Sequence, residues 1–341
     1  MSLQRLIVRT LMKLPEGVIL KMAGGEPVEI DGNIMDPRVQ LLSAQGAKQP
    51  SMATMSPAEA RETSSAGLAM LDDAPRRGVS ILNRTIPGPA GEIPVRIYRP
   101  SDKQSEVLPG IVYYHMGGWV IGDLETCNHF CSVLADECGA AVMSVDYRLA
   151  PEHVFPASIE DALTAYEWAV ANGSEIGMDT SKIAVGGDSA GGNMAAVVCQ
   201  EVKRKGGQQP AAQLLIYPAT DPTDKGGSMQ SCAECYPLTK EIMDYFLDHA
   251  LPDKSKESDP RVAPALSDDL SGLAPAVVAT AGFDPLRDQG EAYANKLKAA
   301  GVDTLYRCYT SLAHAFTAMS GTVPEARRAC IELARDLKRH L

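Results

Sequence analysis

The sequence lacks any apolar stretch that reaches the length of about 18 residues needed to cross a bilayer. It is also short of basic residues, because 32 lysines and arginines face 43 aspartates and glutamates, a formal net charge of −11. A nucleic-acid-binding surface needs clustered lysine and arginine, so this balance argues against one. The 341 residues suffice for one large α/β domain or two ordinary domains. We therefore expect a globular protein without stable membrane insertion and without a nucleic-acid partner.

The eight cysteines do not follow the spacing of a disulfide ladder. We interpret them as reduced, mostly buried side chains of a cytoplasmic protein. Cys232 and Cys235 form a CxxC pair, but no second CxxC or pair of histidines accompanies it, so zinc binding and a redox role are minor alternatives. Cys127 and Cys131 flank His129 one helical turn apart, which favours packing on a sheet over metal binding. We predict no metal and no organic cofactor.

The N-terminal sequence MSLQRLIVRTLMKLPEGV has the position of a signal peptide but not its pattern. Basic residues interrupt the apolar run that a signal peptide requires, at Arg5, Arg9 and Lys13. The apolar residues that share one helical face are Leu3, Ile7, Leu11 and Leu14. We predict an amphipathic helix that packs on its own protein, with binding to a membrane surface as the alternative.

Short apolar runs alternate with helical stretches from residue 108 onward, which indicates an α/β fold with a mainly parallel sheet flanked by helices. The predicted strands lie at residues 110–114, 140–145, 182–186, 213–217, 276–281 and 304–309. Helical periodicity marks residues 124–138, 157–172 and 190–205. Upstream, residues 80–87 and 93–98 alternate on either side of a Gly-Pro-Ala-Gly turn, which predicts a β-hairpin.

Two further segments stand outside this alternation. Residues 1–70 are polar-rich and helical in character, and the sequence Ser-Pro-Ala-Glu at 56–59 predicts a helix start. Residues 221–262 contain one predicted helix, at 239–249, and no clear strand. We interpret the second segment as an insertion over the sheet rather than as an independent domain.

The sharpest chemical signal is Gly187-Asp188-Ser189-Ala190-Gly191, which follows a predicted strand and opens a small-residue helix. Gly-x-Ser-x-Gly at such a junction is typical of a nucleophile elbow, where the flanking residues must lack bulk because the turn is tight. The serine then lies at a helix N-terminus. There the helix dipole and the N–H of Ala190 can stabilise a developing oxyanion. We therefore predict that Ser189 is a nucleophile.

A serine nucleophile needs a histidine base and an orienting acid, which follow it in the order acid, then histidine. Of the three histidines after Ser189, His314 lies in a loop just past a predicted strand, whereas His249 lies in the insertion and His340 at the end of the chain. Asp284 stands at the carboxyl end of a predicted strand, where open α/β sheets carry their sites. We prefer it to Asp288, which falls on the first turn of a helix and suits capping.

The sequence resembles the hormone-sensitive-lipase-like family of bacterial esterases, within the α/β-hydrolase fold. The family pattern HGGGW appears as HMGGW at residues 115–119, DYRLAPEH at 146–153, GDSAGG at 187–192 and DPLRD at 284–288. The usual histidine-glycine-phenylalanine appears as His314-Ala315-Phe316. The motifs occur in the right order and span roughly residues 80–335. Met116 and Ala315 each depart from a usual glycine.

The resemblance implies roles for several other residues. Gly117 and Gly118 match the glycines whose N–H groups, with that of Ala190, form the oxyanion hole. Met116 and Trp119 are candidate pocket residues, while His115 and Asp188 are expected to give structural support. We predict that four charged residues form a structural network rather than a second acid/base site: Asp146, Arg148, Glu152 and Asp161.

The resemblance also implies the domain organisation and the activity. Residues 1–60 and 221–262 would form a helical cap over a catalytic core of residues 61–220 and 263–341. The expected reaction is hydrolysis of short- to medium-chain carboxylic esters through an acyl-enzyme, with a small-molecule ester as substrate. An amidase or acyltransferase would use the same three residues, and a non-catalytic ligand receptor on this fold would lack His314. The sequence leaves a homodimer open.

Overall fold

The structure is a computed structural model that describes residues 3–341. This part of the chain forms ten strands. They are β1 (Glu29–Ile30), β2 (Asn33–Ile34), β3 (Val79–Gly88), β4 (Gly91–Pro100), β5 (Leu108–Tyr114), β6 (Ala141–Val145), β7 (Met178–Asp188), β8 (Gln213–Ile216), β9 (Ala276–Phe283) and β10 (Thr304–Ala313). All six strands predicted from the apolar runs, and both strands of the predicted hairpin, are confirmed.

The same residues form eleven α-helices. They are α1 (Leu3–Leu11), α2 (Glu16–Met22), α3 (Pro37–Gly46), α4 (Pro57–Leu71), α5 (Asn128–Cys138), α6 (Ala157–Asn172), α7 (Ala190–Lys205), α8 (Ser228–Ser231), α9 (Lys240–Ala250), α10 (Arg287–Ala299) and α11 (Pro324–Lys338). Helix α4 begins with the predicted signal: Ser56 and Glu59 each hydrogen-bond the backbone N–H of the other, a complete capping box.

Eight strands form one sheet in the order β10-β9-β8-β7-β5-β6-β4-β3. Neighbours from β10 to β6 pair in parallel, whereas β4 is antiparallel to both β6 and β3. Strands β6 and β9 are buried along their whole length, as expected for parallel strands covered on both faces. The predicted α/β class with a mainly parallel sheet is confirmed.

Two apolar clusters cover the two faces of the sheet. On one face, α5 and α11 pack against each other and supply residues such as Phe130 and Leu333. On the other, α6, α7 and α10 supply residues such as Tyr166, Val198 and Leu297. Because helices fill both faces, the loops at the carboxyl ends of the strands are the open rim on which a site can form.

Helix α1 packs on its own protein, as predicted, and of the residues predicted on the packed face Leu11 and Leu14 lie there but Ile7 does not. Val8, Leu11 and Leu14 lie against a cluster formed by Met12, Ile19 and Leu41. Ile7, predicted on the packed face, is 57% exposed. The prediction was wrong for Ile7 because the partner surface, provided by α2 and α3, meets the helix at positions 8, 11 and 12. The side chain of Leu3 lies outside the described residues.

The N-terminal helices and the insertion both contact the rim of the sheet. Arg61 of α4 donates hydrogen bonds to the carbonyl oxygens of Val120 and Ala150, each at 2.9 Å. In the insertion, Phe246 of α9 packs directly over Gly118. Within the described residues, no helix has both the length and the apolar character that a bilayer crossing demands. The boundaries of a cap stay a prediction.

Candidate active site

Ser189 joins the end of β7 to the start of α7 in a strained conformation. Its φ and ψ are 56° and −119°, which is unusual for a residue with a side chain. A methyl group on Gly191 would lie 1.9 Å from the carbonyl oxygen of Tyr114, and one on Gly187 would overlap the backbone of Gly191. Glycine is therefore the residue that fits on either side of this turn, which has the geometry of a nucleophile elbow.

Three of the predicted residues form one hydrogen-bonded chain. Ser189 Oγ lies 2.9 Å from His314 Nε2, and His314 Nδ1 lies 2.7 Å from Asp284 Oδ2. Asp284 follows β9 directly and His314 follows β10, so both stand at the same carboxyl edge of the sheet as the end of β7, from which β8 separates them. Since the carboxylate accepts a hydrogen bond from Nδ1–H, Nε2 carries no hydrogen and is free to accept the serine hydroxyl hydrogen.

The carboxylate of Asp284, at the far end of this hydrogen-bonded chain, is also fixed. Asp284 Oδ1 accepts the backbone N–H of Leu286 at 2.8 Å, and the carboxylate is fully buried. Both oxygens therefore have partners, as a buried charge requires. The carboxylate cannot rotate away from His314 without losing a hydrogen bond.

Asp288, the rejected acid, faces away from His314. Its Oδ2 accepts the backbone N–H of Ser228 at 2.8 Å, and its Oδ1 pairs with Arg287. Asp288 lies on the first turn of α10, as predicted, but the predicted capping of that helix is wrong, because its carboxylate accepts an N–H at the start of α8 instead.

The loop after β5 brings a pair of glycine N–H groups to the same rim. Gly117 and Gly118 have φ values of +133° and +59°, which L side chains rarely adopt. A methyl group at Gly117 would lie 2.0 Å from the carbonyl oxygen of Ile121, and one at Gly118 would overlap the Phe246 ring. Neither N–H has a backbone acceptor among residues 3–341. Ala190, the first residue of α7, also carries an N–H that has no intrahelical acceptor.

The family follows from comparison with known proteins. The model of a family described as having the alpha/beta hydrolase fold matches residues 111–318. The chain belongs to this family.

Individual relatives match over most of the chain. It is 40% identical to the carboxylic ester hydrolase LipN of Mycobacterium tuberculosis, covering 98% of this chain and 90% of LipN. It is 34% identical to an ethyl acetate hydrolase of Pseudomonas putida, over 73% of this chain and 79% of that protein. Among solved structures, the ester-hydrolase EH1AB1 from the metagenome of Lake Arreo, complexed with a bipyridine phosphonate derivative, superposes with a TM-score of 0.86 at 40% identity, covering 90% of this chain and 99% of that one.

Met116 of this α/β hydrolase occupies apolar space behind the glycine loop. Its side chain is buried in a small cluster with Ala315, Ala318 and Leu68. Ala315 follows His314 and has a φ of +62°. The methionine therefore packs against the loop that carries the histidine, and its other neighbour comes from α4.

Trp119, the second candidate pocket residue, follows the glycine pair with a φ of +63°. It borders a small cavity between α6 and α9 whose apolar lining includes Phe155, Ile159, Leu247 and Leu251. That Met116 and Trp119 contact substrate stays a prediction.

His115 supports the glycine loop from below. Its Nδ1 lies 2.8 Å from the carbonyl oxygen of Met116, and its ring stacks on Tyr147 with centroids 4.2 Å apart. Burial lowers the pKa of His115 to about 4, so the ring is neutral at pH 7 and Nδ1 carries the donating hydrogen. This arrangement agrees with the predicted supporting role.

Asp188, fully buried beside Ser189, accepts hydrogen bonds from three side chains. Thr317 Oγ1 lies at 2.9 Å, Tyr217 Oη at 3.1 Å and Cys127 Sγ at 3.4 Å. Burial raises the pKa of Asp188. Since Thr317 belongs to the loop of His314, the carboxylate links the two loops that hold serine and histidine.

Tyr217 and Thr317 are site residues that the sequence analysis did not predict. Tyr217 ends a predicted strand with a φ of 36°, and its ring lies 4.6 Å from that of His314. Nothing in the local pattern distinguishes a tyrosine that supports a histidine from one that fills the core.

The predicted charged network is confirmed in part. Arg148 pairs with Asp161 at 2.8 Å. Glu152 instead pairs with Arg61 at 2.6 Å, because α4 brings the arginine across the rim. Burial raises the pKa of Asp146 to about 6.

Proposed function

We propose that this protein is a carboxylic ester hydrolase of the hormone-sensitive-lipase-like branch of the α/β hydrolases, acting on short- to medium-chain acyl esters. The observation that carries the proposal is the unbroken hydrogen-bonded chain from Ser189 through His314 to Asp284. Relatives named as ester hydrolases over nearly the whole chain support the same reaction. The GDSAGG and DPLRD motifs support the choice of branch.

In the first half of the reaction, His314 Nε2 accepts the hydroxyl proton as Ser189 Oγ attacks the ester carbonyl carbon. Asp284 keeps Nδ1 protonated and stabilises the imidazolium that forms. The C–O bond to the alcohol then breaks, and the alcohol leaves with the proton from Nε2. In the second half, water is deprotonated by the same nitrogen and releases the acid from the serine.

The tetrahedral intermediate carries its charge on the former carbonyl oxygen. The N–H groups of Gly117, Gly118 and Ala190 are the donors proposed for it. Left-handed backbone at both glycines and the absence of competing backbone acceptors for them support this role. Such donors are already oriented in the free enzyme, so they need no reorganisation as charge develops.

The covering segments would enclose the acyl chain. We propose that residues 1–60 and 221–262 act as a helical cap, since Ala60 is buried in one apolar cluster with Val120 and Ile121, and Phe246 of α9 packs over Gly118. An enclosed site favours acyl chains that it can hold entirely. The ethyl acetate hydrolase among the relatives acts on a short ester, which agrees with this substrate range. A cytoplasmic location and a homodimer stay predictions.

A panel of p-nitrophenyl esters from acetate to palmitate tests the proposal. We expect the highest kcat/KM on chains of short to medium length and none above background for a Ser189→Ala variant. A p-nitroanilide and an alcohol acceptor belong in the same panel. Faster turnover of the amide, or ester product in place of acid, would replace the proposal with an amidase or an acyltransferase. Binding without turnover would indicate a receptor.

A further inference from the structure

Residues 228–235 of the insertion lie along the backbone that carries Asp284. Ser228 Oγ donates to the carbonyl oxygen of Pro285 at 2.9 Å and accepts the N–H of Asp288 at 3.0 Å. Cys232 Sγ lies 3.8 Å from the carbonyl oxygen of Gly282. The segment therefore contacts the acid loop on both sides of Asp284, and a change in its shape reaches that loop directly.

A turn of the backbone brings Cys232 and Cys235 close to each other. The N–H of Cys235 donates to the carbonyl oxygen of Cys232 at 2.9 Å, which closes a turn. The first and fourth Cα atoms of such a turn lie within about 7 Å, and disulfides join Cα atoms about 4.4 to 6.8 Å apart.

The electrostatic surroundings of this pair differ from those of the other cysteines. The neighbouring Cys235 thiol lowers the pKa of Cys232, and the Arg287 guanidinium lowers it further. Burial raises the pKa of the six cysteines outside the pair, which are Cys127, Cys131, Cys138, Cys199, Cys308 and Cys330. Cys232 is therefore the cysteine most readily converted to a nucleophilic thiolate.

The pair lies directly beneath the surface. Cys235 is 7% exposed and Cys232 is buried, but the side chains of Ser231 and Glu234 beside them face solvent. Because only this thin layer covers the pair, we expect a small oxidant to reach it more easily than a protein partner would.

We propose that Cys232 and Cys235 are a redox-active dithiol that hydrogen peroxide converts to a disulfide, and that this bond changes the position of the acid loop. The Cys232 thiolate attacks one peroxide oxygen, the O–O bond breaks, and a sulfenic acid and hydroxide form. Cys235 sulfur then attacks the sulfenic sulfur, the S–O bond breaks, and water leaves with the thiol proton. Two thiols lose two electrons and two protons, and the peroxide becomes two waters.

The disulfide would act on catalysis through Asp284, which makes this part of the inference depend on the proposed esterase function. Cys232 would lose its hydrogen and move toward Cys235, away from the carbonyl oxygen of Gly282 and the backbone N–H of Asp284. Because small displacements of a catalytic group are costly, we expect kcat on an acetate ester to fall about tenfold. Dithiothreitol should restore it.

Peroxide treatment of the full-length protein followed by trypsin and mass spectrometry tests the bond itself. Both cysteines fall in one expected peptide, residues 226–240. We expect this peptide to lose two hydrogen atoms and to resist alkylation by iodoacetamide until dithiothreitol is added. A peptide that stays alkylatable, pairs with a third cysteine or goes on to sulfinic acid would overturn the proposal.

Two variants separate the bond from its effect. Cys235→Ser should abolish the loss of two hydrogens and the recovery of activity by dithiothreitol. Cys308→Ser, which removes a more exposed thiol, should leave both as in the wild type. A disulfide that forms without any change in kcat would contradict the proposal that the bond acts on the acid loop. A reduced enzyme without esterase activity would instead contradict the proposed function, while the mass shift would still decide the disulfide.

Discussion

Two regions of the molecule differ in exposure: the carboxyl edge of the sheet, and the cover formed by the N-terminal helices α1 to α4. At the edge, Ser189 is 8% exposed and Asp284 is fully buried. In the cover, Leu6 and Ile7 are 49% and 57% exposed. The edge is held by backbone conformations into which not even a methyl group fits, as at Gly117 and Gly191. The cover is held by small apolar clusters and by arginine contacts.

The two regions should therefore respond differently to substitution. Changes at the edge displace reacting groups and so should act on turnover, because the donors there have no alternative position. Changes in the cover remove contacts that water can partly replace. They should act on stability and on substrate binding, with smaller effects on chemistry.

The largest effect should come from Ser189→Ala, which leaves no nucleophile. We expect kcat on an acetate ester to fall to near background in a folded protein, because the three residues act as a unit and losing one forfeits most of the rate enhancement. Retention of a tenth of wild-type turnover by a protein with an unchanged circular dichroism spectrum would contradict the role of this serine.

Substitution of the two other residues of the hydrogen-bonded chain should reduce activity less than loss of the serine does. His314→Ala should be nearly as damaging, and Asp284→Asn should be milder, because a misplaced base is less harmful than a missing one. Asp288→Asn is the matched control, since it removes a cap on α8 and a pair with Arg287. If Asp288→Asn lowered kcat more than Asp284→Asn, with both proteins folded, our choice of acid would be wrong.

The glycine loop should separate turnover from stability within a few residues. Gly117→Ala or Gly118→Ala should lower kcat by about 10² to 10³, the usual cost of losing an oxyanion donor. Met116→Gly should keep kcat within about tenfold, but emptying its buried cluster should cost about 2 to 5 kcal/mol of unfolding free energy. Met116→Leu, which conserves volume, should cost less than about 1.5 kcal/mol. Kinetics and urea unfolding of the four variants would show whether Met116 belongs to the oxyanion hole.

These predictions rest mostly on features that local sequence reveals. Gly187 and Gly191 flank a serine between an apolar run and a helix, so the sequence motif of the nucleophile elbow lies within a few consecutive residues. Asp284 and His314 each follow a strand, and parallel strands bring their carboxyl ends to one edge. Periodicity and strand ends thus suffice to predict the sheet and the candidate triad.

Contacts between distant segments were not predictable in the same way. Tyr217 and Thr317 donate hydrogen bonds to Asp188 although they lie 29 and 129 residues from it in the sequence. Arg61 pairs with Glu152, which is 91 residues away. The packed face of α1 was predicted wrongly at Ile7, since amphipathic periodicity shows that a face exists but not where the partner surface lies. The short hairpin of β1 and β2 has too few residues for a pattern.

Within the cover, Arg61→Ala should have a smaller effect than the edge variants. It leaves the carbonyl oxygens of Val120 and Ala150 without their donor. We expect a loss of about 1 to 3 kcal/mol in unfolding free energy and a larger change in KM than in kcat. Arg84→Ala, which breaks an exposed pair with Glu175, is the control and should cost less than about 1 kcal/mol. A fall in kcat of more than tenfold for Arg61→Ala would show that this arginine affects turnover in the way expected of residues at the edge.

The smallest effect on turnover should come from Asp72, the carboxylate at the end of α4 where the two regions meet. Its Oδ1 accepts from Ser320 Oγ, six residues after His314, at 2.8 Å. Burial raises the pKa of Asp72 to about 7, against 3.8 for an unperturbed aspartate. Between these values the folded protein binds more protons than the unfolded chain, so unfolding free energy decreases as pH rises toward 7 and stays lower above it.

Asp72→Asn keeps an oxygen for Ser320 and removes the buried charge. We expect the variant to be more stable than the wild type by about 1 to 3 kcal/mol at pH 8, with the gain vanishing near pH 4, and with kcat within about twofold of the wild type. Asp73→Asn is the matched control of opposite sign. Burial alone would raise the pKa of Asp73, but Arg9 and Arg327 lower it overall, so its carboxylate stabilises the fold at pH 8 and its removal should destabilise. Urea unfolding of both variants across this pH range measures the difference. A loss of stability in Asp72→Asn at pH 8 would mean that the charge is satisfied by the nearby arginines, and that the cover is held to the edge more firmly than its exposed apolar side chains indicate.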